Sequence, residues 1–183
     1  MKSALKIVLF LALATVLSGC TNALAVLELN NMAKEYIEID DYKSAISRLE
    51  SSVELDCNQF QTRYMLASAY LKEKRCKEAL EHALWLTEAR PEEPSSYSLK
   101  GDIYSCVSEE VLEEEIKIKN TNRINQENPQ AIKKYIYDLT KANEAYSKYF
   151  DLIPTAEDSS FYLNKIEENK TKIAAIEPYL RKN

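Results

Sequence analysis

The chain has 183 residues, of which 45% are hydrophobic and 29% are charged, a composition that excludes an intrinsically disordered chain and favours one folded domain. Its two glycines, Gly19 and Gly101, are too few for a phosphate-cradling loop or a dinucleotide-binding fingerprint, and their scarcity favours helices. The net charge is −5, or −7 if Lys2 and Lys6 are cleaved off with residues 1–19, so the chain lacks the basic surface that nucleic-acid binding requires.

The first 20 residues have the pattern of a secretion signal. Lys2 and Lys6 give a positively charged start, and residues 7–17 form an apolar run that is too short to span a bilayer. The run ends in Leu17-Ser18-Gly19-Cys20, which places two small residues directly before a cysteine. This pattern resembles the lipobox of bacterial lipoproteins. The alternative is an ordinary signal peptide in which Cys20 is incidental.

The lipobox resemblance implies where the mature chain begins and what it carries. Residues 1–19 would be removed as a lipoprotein signal peptide, and Cys20 would carry the acyl chains that anchor the protein in a membrane. Residues 20–25 would form the lipidated N-terminus and a short tether, which keeps the folded domain close to the membrane. Thr21, in place of the aspartate that marks inner-membrane retention, favours the outer membrane on its periplasmic side.

A sequence repeat with a period of 34 residues begins at residue 26. The residues that recur at this spacing are Ala33 and Ala67, Tyr36 and Tyr70, and Ala45 and Ala79. The pattern resembles the tetratricopeptide repeat (TPR), in which small residues let two antiparallel helices approach closely. The resemblance implies an all-α solenoid of antiparallel helix hairpins, with a first repeat at 26–59 and a second at 60–93.

A third repeat, 94–154, departs from the pattern. Gly101 and Tyr104 stand at the expected positions, but the next matching alanine is Ala142, so the turn between the two helices contains a 29-residue insertion. The insertion is either a flexible loop or a continuation of both helices. Apolar residues that recur every three or four positions favour elongated helices near 95–119 and 129–152, with a loop near 120–128.

A final helix is predicted after the third repeat. Tyr162, Ile166, Ile173 and Ile176 are spaced to lie on one helical face. A capping helix at 156–179 would cover the exposed end of a solenoid, because terminal repeats need a polar outer side.

The sequence offers little material for catalysis or metal binding. His82 is the single histidine, and the cysteines lack the spacing of metal ligands. No nucleophile and base can be paired from the sequence. We therefore expect no enzyme activity, no cofactor and no metal site. The acidic run at 109–115 is interpreted as a solvated helix face, with a surface for a basic partner as the alternative.

Three cysteines follow Cys20. The TPR resemblance implies that Cys57 lies in a loop at one end of the hairpins, whereas Cys76 and Cys106 lie near the opposite end. A disulfide between Cys76 and Cys106 is therefore the one pairing that this geometry allows in an oxidising compartment. Three free thiols, packed as small apolar groups, are the alternative.

The TPR resemblance also implies a partner-binding groove, because TPR domains bind peptides or helices on a concave face that the first helix of each repeat lines. The residues at these positions are Asn30, Lys34, Ile37, Glu38, Tyr64, Ser68, Leu71, Lys72, Ser98 and Asp102. The set lacks the basic array with which some members of the family hold a chaperone tail. Several of these side chains could instead be solvated or pack against the capping helix.

These features together predict a membrane-anchored scaffold or adaptor that binds other envelope proteins, in outer-membrane assembly, pilus or secretion machinery. The role within a machine rests on analogy of fold, which does not determine function. One alternative is a regulator of a cell-wall enzyme. Another is a self-associating structural lipoprotein that dimerises through the elongated third hairpin.

Overall fold

The computed structural model describes residues 22–116, 128–155 and 157–180, and within these ranges it contains helices and no β-strand. The α-helices are α1 (22–38), α2 (Tyr42–Leu55), α3 (Phe60–Lys72), α4 (Cys76–Ala89), α5 (Pro94–Val111), α6 (Pro129–Leu152) and α7 (Ser159–Ile176). A π-helical turn, Leu112–Ile116, continues α5, and a 3-10 turn, Glu177–Leu180, continues α7. None of the described helices has the length and apolar composition that crossing a bilayer requires. The predicted lipobox and Cys20 lie outside the described residues.

The elongated helices of the third hairpin are confirmed as far as the structure describes them. Helix α6 has the predicted bounds; the Asn128 side chain caps it by accepting a hydrogen bond from the Ala131 amide at 3.1 Å, and Pro129 occupies the first turn. The first helix of the hairpin continues through the π-helical turn to Ile116. The rest of the predicted extension and most of the predicted loop, residues 117–127, lie outside the described residues.

The π-helical turn has a packing reason. Val111 and Ile116 are both buried in the same apolar cluster, although five residues of regular α-helix would turn their side chains about 140° apart. The wider π turn brings Ile116 back towards the face of Val111. Glu113, Glu114 and Glu115 remain exposed between them, as predicted for a solvated acidic face.

The chain divides into two compact units, an N-terminal unit that ends at Ala69 and a C-terminal unit that begins at Tyr70. The N-terminal unit contains α1, α2 and most of α3. Ala33, Ala45 and Ala67, three positions of the 34-residue pattern, are fully buried there. Small side chains at these positions let the helix backbones approach closely, as the repeat pattern predicts.

In the C-terminal unit, the capping helix and the turn that follows it cover the elongated hairpin. Ile176 belongs to the apolar cluster of Val111 and Ile116, and Tyr179 and Leu180 of the 3-10 turn pack against that cluster. Tyr137 is the one large hydrophobic side chain of α5 and α6 that is exposed among the described residues. The excess apolar surface on which self-association through this hairpin would depend is therefore largely buried within the described part of the chain.

A disulfide joins α4 to α5. The Cys76 and Cys106 Cα atoms are 5.8 Å apart, and both side chains are buried. Cys57 is exposed and has a free thiol. The bond therefore forms between the two cysteines that the predicted hairpin geometry brings together.

Candidate functional site

The predicted groove residues of the N-terminal unit lie on α1 and α3, which a buried polar contact holds side by side. The Asn30 amide nitrogen donates hydrogen bonds to Thr62 Oγ1 at 2.8 Å and to Gln59 Oε1 at 3.3 Å. The Thr62 hydroxyl is fully buried and donates to the same Gln59 oxygen at 2.9 Å. Asn30 was predicted to contact a partner, but its amide nitrogen is bonded within the chain and helps to position the two helices.

Other predicted residues of this unit are accessible. We define the α1–α3 surface as Lys34, Ile37, Glu38, Tyr64 and Ser68. Lys34 and Glu38 are exposed, and the other three are partly exposed. The Ser68 hydroxyl donates to the backbone oxygen of Tyr64 at 2.9 Å. The surface therefore offers both charges and partly exposed apolar side chains, a mixture that suits contact with another protein.

Leu71 and Lys72, also predicted to line the groove, form the last turn of α3. Leu71 is partly exposed and Lys72 is exposed. Both side chains are thus accessible at the point where the first helix of the second repeat ends.

The two predicted groove residues of α5 are engaged by the chain itself. Ser98 is buried, and its hydroxyl donates to the Ser95 backbone oxygen at 3.1 Å. Asp102 Oδ1 accepts hydrogen bonds from the Tyr146 hydroxyl of α6 at 2.8 Å and from the Lys165 ammonium of α7. Asp102 therefore contacts the capping helix, which is the alternative that the sequence left open for the groove residues.

The Asp102 junction has an electrostatic consequence for Tyr146. Burial, together with the negative charge of Asp102, raises the pKa of the Tyr146 hydroxyl well above its usual range. The tyrosine therefore stays protonated and acts as a hydrogen-bond donor. The Lys165 ammonium also lies 4.5 Å from the Phe161 ring centroid, so α7 contributes both a cation and an aromatic face to this junction.

We expect Asp102→Ala to lower the free energy of unfolding by about 1–3 kcal/mol, because it removes the acceptor of a buried hydroxyl and the partner of a half-buried ammonium. Urea unfolding followed by circular dichroism measures this loss. Asp151→Ala, which removes an exposed carboxylate near the end of α6, is the matched control and should be neutral. Equal midpoints for the two variants would contradict the assigned role of Asp102.

The described residues contain no group of three or more His, Cys, Asp or Glu side chains arranged to hold a metal ion. His82, the single histidine, stacks on the Tyr70 ring with centroids 5.8 Å apart and planes 16° apart. Its geometry is that of a packed aromatic side chain of α4.

The turns within the first two hairpins repeat each other. Asp40 and Lys74, which are 34 residues apart, both adopt the left-handed conformation, with φ of 57° and 59°. The amide that follows each of them donates back to a tyrosine carbonyl, Asp41 to Tyr36 and Arg75 to Tyr70, at 2.9 Å in both turns. This is the Schellman pattern of helix C-termini, so the sequence period has a matching backbone period.

Solved structures with the same helical arrangement identify the fold. The first TPR domain of RPAP3 (Spaghetti), solved with the HSP90 peptide SRMEEVD, has a TM-score of 0.59 and 15% identity over 81% of this chain and 93% of that chain. The first TPR domain of human RPAP3, solved by NMR, has a TM-score of 0.59 and 16% identity over 84% and 95% of the two chains. This chain has a TPR fold.

MamA from Desulfovibrio magneticus RS-1 shares the TPR fold at a TM-score of 0.56, with 19% identity over 86% of this chain and 77% of that chain. No protein-family model and no curated protein matches the sequence. The prediction of an all-α, TPR-type fold is therefore confirmed by similarity of structure. The sequence identities to these structures are 15–19%, and comparison of sequences finds no match.

Proposed function

We propose that this protein is a lipid-anchored interaction module of a bacterial cell envelope, which holds a protein partner and catalyses no reaction. The TPR fold supports a binding role, since a domain of this fold, the first of RPAP3, was solved with a peptide bound to it. The observation that carries the proposal is the accessible α1–α3 surface, where Lys34 and Glu38 flank the partly exposed Ile37. Charged residues around a central apolar contact form the usual anatomy of a protein interface.

The proposed anchor is the acylated Cys20, which the lipobox motif supports. Helix α1 is described from residue 22, only two positions after Cys20 in the sequence. Leu24 and Leu27 in that part of the helix are 68% and 56% exposed. In this arrangement the N-terminal unit lies next to the membrane, and its partners are other envelope proteins. The outer membrane, on its periplasmic side, is the proposed location, and outer-membrane assembly, pilus and secretion machines are the candidate complexes.

The test is a crosslinked pull-down of the tagged protein from native envelopes, read by mass spectrometry. The surface variant Lys34→Glu/Glu38→Lys exchanges two exposed charges of α1, and the control Lys43→Glu/Glu54→Lys exchanges two exposed charges of α2. Both double variants keep the net charge unchanged. We expect wild type and control to recover one common complex, and the surface variant to recover at least about tenfold less, which corresponds to about 1.4 kcal/mol of binding free energy.

Two results would contradict this proposal. Full recovery of the complex by the surface variant would exclude the α1–α3 surface, and recovery of the protein alone by wild type would favour self-association. The anchor is tested with Cys20→Ser, after the cells are separated into membrane and soluble fractions.

This variant should no longer be found in the membrane fraction, and its mass should lack the acyl chains. A variant that stays with the membrane would refute lipid anchoring.

A further inference from the structure

The C-terminal unit contains a cleft between α5 and α6 that the sequence pattern does not predict. Its volume is about 290 Å³, and it is lined by Tyr97, Lys100, Tyr104, Lys141, Glu144, Ala145 and Lys148. The residues from α5 follow one another by three and four positions, and those from α6 have the i, i+3, i+4, i+7 spacing, so each set occupies one helical face. Ala145 is small and buried, which leaves room for the cleft between the two helices.

The cleft is positively charged in a chain whose net charge is −5. Three lysines and one carboxylate line it. The carboxylate of Glu144 pairs with the Lys141 ammonium one turn earlier on α6, so these two charges compensate each other. Lys148 is exposed and forms no ion pair among the described residues. The charges of Lys100 and Lys148 therefore remain available to an anionic ligand.

Lys100 is the least expected member of the cleft. Its side chain is half-buried, and within the described part of the chain its ammonium donates to a neutral acceptor, Thr87 Oγ1, at 3.2 Å. Burial lowers the pKa of Lys100, while the nearby charges of Glu88 and Glu144 act in the opposite direction. A partly desolvated cation with no carboxylate in contact reduces stability, and such groups concentrate at binding sites.

We propose that this α5–α6 cleft binds an acidic segment of the protein partner, with Lys100 and Lys148 pairing with carboxylates of that segment. Tyr97 and Tyr104 stand on either side of Lys100 along α5 and would pack against the aliphatic parts of the acidic side chains. The inference rests on the proposed function, because it takes the ligand to be a protein. It adds a second contact, separate from the α1–α3 surface.

The two available charges favour a ligand with more than one carboxylate. Lys100 of α5 and Lys148 of α6 belong to facing helices of the cleft, and Lys141 adds no available charge because Glu144 pairs with it. An acidic segment carries several carboxylates, so it can present a separate one to each of the two lysines.

The experiment is an NMR titration of the isotope-labelled protein with blocked tetraglutamate, with blocked tetraglutamine and inorganic phosphate as parallel arms at equal ionic strength. We expect tetraglutamate alone to shift the amide signals of 97–104 and 141–148 in a saturable way. Lys148→Gln should raise the dissociation constant about three- to fivefold. Lys133→Gln, which removes an exposed lysine from the same helix outside the cleft, should leave it unchanged.

Lys100→Met separates binding from folding, because it keeps an unbranched side chain of nearly the same length while it removes the charge and the hydrogen bond to Thr87 Oγ1. This variant should retain its fold, with a thermal midpoint equal to or above that of wild type because a partly desolvated charge is removed, while it loses the tetraglutamate shifts. The inference is overturned if tetraglutamate shifts no cleft signal, if Lys148→Gln binds like Lys133→Gln, or if phosphate shifts these signals and tetraglutamate does not. If the pull-down still recovers a complex through the α1–α3 surface in any of these cases, the proposed function stands and the cleft alone fails.

Discussion

Gly101→Ala should lower the free energy of unfolding by about 2 kcal/mol, although alanine is the better helix former by about 1 kcal/mol. A Cβ atom at residue 101 would lie 2.5 Å from Cδ1 and 2.8 Å from Cζ of Tyr146, closer than atoms in contact can approach. The Tyr146 ring is fully buried and bonded to Asp102, so it has no free space to move into. The clash therefore outweighs the gain in helix propensity, and urea unfolding measures the net loss.

A double-mutant cycle provides the control for this prediction. Tyr146→Leu destabilises the protein by itself, because it removes a large buried side chain, but it also removes the ring that the new methyl group would meet. In the Tyr146→Leu background, Gly101→Ala should be neutral or stabilising. An equal loss in both backgrounds would show that the ring is not what excludes a side chain at residue 101.

Reduction of the disulfide between Cys76 and Cys106 should lower the free energy of unfolding by about 3.5 kcal/mol, the value that loop entropy predicts for two cysteines 30 residues apart. The bond ties the start of α4 to α5, so the unfolded chain gains freedom over this whole segment when it breaks. Urea unfolding with and without reductant, followed by circular dichroism, measures the difference. Both cysteines are buried, so the reduced sample is prepared by refolding in reductant.

Cys57→Ser is the matched variant for the disulfide experiment, because it removes the exposed free thiol and leaves the bonded pair intact. The variant should behave like wild type in the absence of reductant and should lose the same stability in its presence. An unchanged midpoint on reduction would mean that the disulfide contributes nothing to the stability of the C-terminal unit.

Local signals in the sequence predicted the helical elements well. Asn128 and Pro129 mark the start of α6. The Asn128 side chain caps the free amides of the first turn and Pro129 favours helical backbone angles, so both signals can be recognised from neighbouring residues in the sequence. The 34-residue period predicted the buried alanines, and the structure repeats it in the backbone at Asp40 and Lys74. Neither turn residue is a glycine, so the left-handed conformation could not have been inferred from residue type.

The candidate sites were predicted less completely, because they depend on contacts between distant residues. Lys34 and Glu38 are exposed, as residues that line a groove must be. The repeat pattern could predict this, because it specifies which face of the first helix is exposed. Asp102 occupies an equivalent position on α5, but Lys165, 63 residues later, engages it. That contact depends on how α7 is rotated about its own axis against α6, which helical periodicity does not specify.

The sequence by itself determined the all-α class, the TPR repeat and the bounds of α6, because these follow from side-chain spacing and capping within one or two helical turns. The tertiary structure decided which polar residues stay available to a partner. It placed Lys100 and Lys148, 48 positions apart, along one cleft and bonded Ser98 and Asp102 within the chain. The physical reason is that the neighbouring helix determines whether a polar side chain is bonded within the chain or available to a partner. The position of that helix depends on how whole helix surfaces fit together.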